Sequence, residues 1–167
     1  KAYDRFADPE AAILDAFIIS YRDTRPGEDT VERCRELARA EDIGRPSRGL
    51  ARCFLCWEAI RGARLAEARR WGAMSLSDFE TADAGYAAAF VHMHTSVIGF
   101  YENDLDDARR QIGRAEQIAK LFFPDDERLF NLVWVFGAWL EHDLGALLPP
   151  EDLMASVDYG REGEGWL

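Results

Sequence analysis

The sequence predicts an all-α fold, and three observations carry that prediction. No stretch alternates apolar and polar residues with period two over a useful length, so strands have no signature. Apolar residues recur instead at three- and four-residue steps. Leu105, Ala108, Ile112 and Ala115 form such a stripe, by which one helix lies against its neighbours. The chain also repeats itself. Leu65, Ala68, Arg69 and Arg70 stand forty residues before Leu105, Ala108, Arg109 and Arg110. Glu141-His142-Asp143-Leu144 then echoes Glu102-Asn103-Asp104-Leu105, thirty-nine residues on. A period of that size predicts stacked helical hairpins, and the alanines in the stripe require close helix approach.

Each element follows from local signals. Asp8-Pro9-Glu10 is a helix start, with Ile13, Leu14, Phe17, Ile18 and Tyr21 as the apolar face, and Arg25-Pro26-Gly27 ends that helix. Asp29 with Glu32 predicts a capping box for a second helix carrying Val31, Cys34, Leu37 and Ala38. After Gly44-Arg45-Pro46-Ser47, one helix is expected over about 48–61, a turn at Gly62, and a long helix over about 63–82. A third hairpin runs from about Tyr86 to Phe122 and turns at Glu102-Asn103, where Asn103 or Asp104 can cap the second helix. Pro124-Asp125 restarts the chain, with a seventh main helix from Glu127 to His142. Pro149-Pro150 breaks the pattern before a short helix at 151–159 and a mobile tail to Leu167. The expected division is therefore a helical-repeat domain over 1–148, then a short helix and tail or linker over 149–167.

Composition bounds the partners. The 167 residues suit one domain, and 48% hydrophobic content is enough for a continuous core. A net charge of −11 repels phosphate backbones, so direct nucleic-acid contact by this segment is not expected. No basic amphipathic stripe, membrane-length apolar run or signal-peptide pattern is present, so no membrane role is expected. Three cysteines without secretory context read as reduced thiols in a cytoplasmic protein. The chain starts at Lys1 and ends after Gly-Trp-Leu, which reads as a segment of something longer.

The small residues at fixed register give the pattern a resemblance. Ser96 in mid-helix, followed after the turn by Ala108, Ile112 and Ala115, resembles the tetratricopeptide repeat. Cys56 and Ala68 take the same positions one hairpin earlier, where Gly72 and Ser75 depart from the motif, and Val135 takes the first position one hairpin later. A position that is tyrosine in that family is Ala59, Gly99 and Ala138 here, which implies a tighter helix pair. The resemblance covers about residues 8–148 and implies a right-handed superhelical array of antiparallel hairpins. It amounts to about 3.5 repeats, seven main helices and a short C-terminal one. The long period and the N-D-L-x-x-A turn are similar to the repeat region of large ATP-dependent LuxR-type regulators of the maltose-regulator kind. That likeness implies a sensor and protein-interaction segment of a transcriptional regulator. The alternative is a stand-alone scaffold that binds a partner and has no part in transcription. No G-x-x-x-x-G-K-[ST] loop and no basic recognition helix occurs in the chain.

The same register bears on the candidate sites. Cys53-x-x-Cys56 and His92-x-His94 invite a metal reading. On a helix, however, the two histidines diverge, and Cys53 and Cys56 align with Met93 and Ser96, which are lining and packing positions. No cofactor or metal is expected. Asp106, Asp107, Glu116, Asp125, Asp126 and Glu127 read as helix-start or solvated charges, so no catalytic carboxylate pair is expected either. The first helices of such hairpins line the concave surface. There the register sets Leu50, Cys53, Trp57, Ile60 and Arg61, then Phe90, Met93, Val97, Phe100 and Tyr101, then Leu129, Leu132, Phe136, Trp139 and Leu140. This apolar, aromatic face is expected to bind, with Trp57, Arg61, Phe90, Met93, Phe100, Tyr101, Phe136 and Trp139 as its contacts. Expected occupants are a protein partner, neighbouring domains of a longer chain, or an apolar or peptide ligand; a homodimer is a further expectation.

Overall fold

The computed structural model describes residues 27–82 and 84–122, and within them every regular element is helical. We number the helices α1 (Glu28–Arg39), α2 (Arg45–Arg61), α3 (Leu65–Thr81), α4 (Ala88–Tyr101) and α5 (Leu105–Phe122). One turn of 3-10 helix (Gly85–Ala87) precedes α4. The helices expected at 10–25, 127–142 and 151–159, together with Phe136 and Trp139, lie outside the described residues.

Two tight turns organise the rest, and they are the same turn. In the first, Gly62, Ala63 and Arg64 donate to the carbonyls of Glu58, Ile60 and Ala59 at 3.1, 2.9 and 2.8 Å. Forty residues on, Glu102, Asn103 and Asp104 donate to Ile98, Phe100 and Gly99 at 3.0, 3.0 and 2.8 Å. Each turn closes on a left-handed residue, Ala63 at φ 55° and Asn103 at φ 60°. The six-residue closure beside a left-handed residue is the Schellman pattern, which satisfies the last carbonyls of the first helix. The first helix ends at Arg61 and the chain turns at Gly62 as expected; Gly62 keeps φ −87°, and it is Ala63, the next residue, that takes the left-handed conformation. At the start of α5, Asp104 caps as expected, its carboxylate accepting from the Asp107 N–H at 3.0 Å.

The other boundary shifts are small and have local causes. The capping box of Asp29 and Glu32 does not form: α1 begins after Gly27 without a side-chain cap, and Glu32 pairs with Arg35 at 3.0 Å. Arg45 and Pro46 belong to α2, because a proline in the first turn loses no hydrogen bond.

The turns fold α2 back on α3 and α4 back on α5, so each pair is an antiparallel hairpin. Early in α2, Gly49 lies against the ring of Phe79 late in α3, where an added Cβ would stand 2.7 Å from the ring. Ser75, fully buried, donates to the Gly49 carbonyl at 2.7 Å. In the second hairpin Gly99 meets the backbone of Ala108, and a Cβ there would fall 2.8 Å from the Ala108 nitrogen. The implied tight pairing is therefore real at Gly99. Phe54 and Phe79 are completely buried, each contributing about 2–3 kcal/mol through burial. α1 packs on α2 through Cys34, Leu37 and Ala38. α4 docks against both helices of the first hairpin, with Val97 and Ile98 entering the core built by α1, α2 and α3.

Candidate functional site

The face assigned to binding divides into a closed part and an open part. Cys53, Ile60 and Val97 are buried. Met93 is wholly buried too, packed with Ala89, Ala115 and Ala119 between α4 and α5. The expectation that Met93 lines an open groove is corrected: α5 is short-sided there, and the long thioether fills the space its alanines leave. Trp57, Arg61, Phe90 and Phe100 are partly exposed. Tyr101 is 59% exposed, its ring edge-on to Phe100 at 5.9 Å. Arg61 donates to Glu58 at 3.4 Å, one turn back on its own helix. The open part is thus an aromatic edge at the end of α4, and sequence register alone could not separate it from the filled part.

Where α2 meets α4 the structure brings together residues that are distant in the chain. His94 is buried completely, its ring stacked on Trp57 at 5.0 Å and its Nδ1 3.5 Å from the Cys53 sulfur. Burial pushes His94 down to about 4, so it is neutral at ordinary pH. Burial also drives the thiols up, Cys53 well above its usual value and Cys34 and Cys56 to about 12. A neutral thiol and a neutral imidazole out of reach of water make a packing pair, with no thiolate to act as nucleophile or ligand. Among the described residues no group of three or more His, Cys, Asp or Glu side chains stands where it could hold a metal ion.

Two polar clusters were missed at the sequence level. In one, Asp78 on α3 is buried and accepts from Arg48 at 2.9 Å and Arg52 at 2.6 Å, both on α2. The same arginines donate to the carbonyls of Ala40 and Ala38, fastening the end of α1. In the other, Asp107 is 7% exposed and accepts from Arg69 at 3.2 Å, Arg110 at 2.9 Å and Gln111 at 3.0 Å. Burial opposes its charge, but those three donors hold its pKa below the ordinary carboxylate value. Asp107 stands in the first turn of α5, as a helix-start charge should, but the solvated reading is corrected, and the cause is Arg69 reaching across from α3.

That second cluster extends in both directions. Arg69 Nε also donates to Glu102 at 2.9 Å, stapling the first hairpin to the turn of the second. Because Gln111 gives its amide hydrogens to Asp107, its oxygen accepts from His92 Nδ1 at 2.8 Å. The same oxygen lies 3.4 Å from the Thr95 hydroxyl. A hydrogen-bonded line thus runs from α4 through α5 to α3. It positions helices and presents no accessible reactive group. Set against known proteins, the chain matches no family model, no curated protein and no solved structure.

Proposed function

We propose that this chain is a helical-repeat interaction segment, a right-handed superhelical array of the tetratricopeptide kind. It serves a cytosolic regulatory protein, for which the turn wording favours a LuxR-type transcriptional regulator. It is not an enzyme. It binds a protein partner or apolar ligand along the first helices of its hairpins. One observation carries the reading: the same turn, with the same pattern of three carbonyl acceptors, recurs forty residues apart and builds two equivalent hairpins. Repetition of that sort makes a continuous surface from equivalent positions, and such surfaces bind. The burial of Cys53 and His94 in neutral form supports binding over chemistry. The absence of any helix long and apolar enough to cross a membrane, among the described residues, is compatible with it.

A photo-reactive phenylalanine analogue placed at Tyr101 of the full-length protein in cells tests the proposal. Cross-linking to one protein from position 101, and not from the exposed control position Lys120, is the expected result. Equal yields from both positions would remove the binding face. The regulator reading has its own test, in whether the full-length protein binds ATP and DNA.

A further inference from the structure

The hydrogen-bonded line in the second hairpin fixes more than helix positions. Arg69 and Arg110 hold Asp107 ionised, and an ionised carboxylate only accepts, so the amide hydrogens of Gln111 turn toward it. The amide oxygen is thereby aimed at α4, 2.8 Å from His92 Nδ1. The Thr95 hydroxyl is a weak rival for that oxygen, since it already reaches the carbonyls of Val91 and His92 at 3.0 and 3.1 Å. An amide oxygen donates nothing, so His92 carries its hydrogen on Nδ1 and Nε2 is left as the basic nitrogen. That is the reverse of the tautomer a free imidazole prefers. The ring is 8% exposed, and burial holds its pKa below the ordinary histidine value against the pull of Gln111. Of the charges that face it, Arg114 on α5 opposes an imidazolium and Glu80 on α3 favours one. From α2 comes Cys53, an un-ionised thiol that meets α4 at His94, and Gly85-Tyr86-Ala87 brings no side chain charged at acid pH.

We infer that His92 is a proton-sensitive latch between α4 and α5: Asp107, acting through Gln111, leaves Nε2 as the one place for a proton, and a proton there sets a charge into the crossing that loosens α5 from α4. The bond from Nδ1 to Gln111 is not what breaks, because an imidazolium donates from Nδ1 as well. The cost is a desolvated charge that Arg114 repels. Opening α5 frees the ring to take its proton near pH 6.5, whereas the closed form resists until lower pH. The latch is therefore fully shut above pH 6.5 and weakens as the pH falls below it. It works whatever the protein binds.

Histidine nitrogen NMR against pH, with amide exchange in α5 corrected for intrinsic rates, tests the latch on the full chain. At neutral pH the parent should carry its His92 hydrogen on Nδ1, and Q111L should return it to Nε2. R114Q should raise the His92 titration midpoint and E80Q lower it, and both positions are exposed, so neither change disturbs the core. From about pH 7 to about pH 5, exchange in α5 should quicken about threefold or more relative to α2 and α3. H92N, whose amide still donates to Gln111 but does not titrate, should abolish that relative gain. A parent ring with its hydrogen on Nε2 overturns the relay from Asp107 and the latch with it. Relative exchange that quickens equally in H92N overturns the latch too. Should H92N lose helicity at neutral pH, the two charge variants decide. Exchange in α5 at acid pH that is slower in R114Q and faster in E80Q than in the parent supports the latch, and exchange that neither variant moves overturns it.

Discussion

The two complete hairpins share a frame and differ in filling. The first closes on large rings set against missing side chains, Phe79 against Gly49, with buried Ser75 tied to the Gly49 carbonyl. At the same register the second has Ala119 against Ala89, with Ala115 in place of the serine, all fully or almost fully buried. Phe54 of the first core becomes His94 in the second, and the arginines gripping Asp78 give way to His92 on Gln111. The turn dictates the pair, while the interior accepts any complementary set of volumes with its polar atoms satisfied. That explains how a repeat can persist in geometry when few residues repeat.

The sharpest way to break this comparison is at Phe79. Phe79→Ala should cost about 4 kcal/mol in urea unfolding, because the ring is buried and its partner is a glycine that cannot fill the void. Gly49→Ala, destabilising alone, should become favourable in the Phe79→Ala background. If the two changes instead add, the glycine is not there for the ring.

Next comes pH, where the hairpins differ through His94 and its counterpart Phe54. His94 has its folded pKa depressed from 6.5 to about 4. Above pH 6.5 neither state binds the proton; below it the unfolded chain binds first, so stability falls until about pH 4 is reached. Over that window the loss assignable to His94 is about 3 kcal/mol. His94→Phe should remove that part of the slope, read as the difference between the two proteins' stability curves. Parallel curves would mean the imidazole is not desolvated.

A third difference lies at the helix crossing. Gly99→Ala should cost about 2–3 kcal/mol, since the new Cβ would strike the backbone of Ala108 and Asp104, which cannot rotate aside. Ala59 carries a Cβ at that register without exposure, so the first hairpin is wider there. A neutral Gly99→Ala in thermal melts would make the two crossings equal. The smallest effect compares acids. Asp107→Ala should cost about 2 kcal/mol, as removal strands Arg69, Arg110 and Gln111 around a buried site. Glu67→Ala, at the same register but more exposed, should cost about 0.5–1 kcal/mol. The ratio of the two in one denaturant series is the measurement.

What could be read in the sequence was whatever repeats or is local. The forty-residue period, the two turns and the small residues Cys56, Ala68, Ser96, Ala108 and Ala115 were visible because sterics at a helix contact leave few substitutes. The left-handed Ala63 was hidden because glycine next to it looks like the obvious turn residue; the register from Asn103 points to it. Asp107 was hidden for a different reason. An acid in the first turn of a helix has a sufficient local explanation, and only a partner thirty-eight residues away, Arg69, removes it from solvent. Met93 belonged to a face correctly recognised as apolar, but hydrophobicity does not say whether a face is filled. That depends on the neighbour's small side chains, here Ala115 and Ala119.

The brevity of the two turns has a kinetic consequence. Each hairpin joins its helices through three residues, so its first contacts, Ala59 near Ala68 and Gly99 near Ala108, close loops of only about ten residues, an event on the scale of tens of nanoseconds. Among the described residues, the hydrogen-bond contacts that reach furthest along the chain, Cys53 with His94 and Arg69 with Asp107, wait for two preformed hairpins to meet. Folding should therefore be able to begin in either hairpin and finish at the seam between them, and changes at the seam should chiefly speed unfolding.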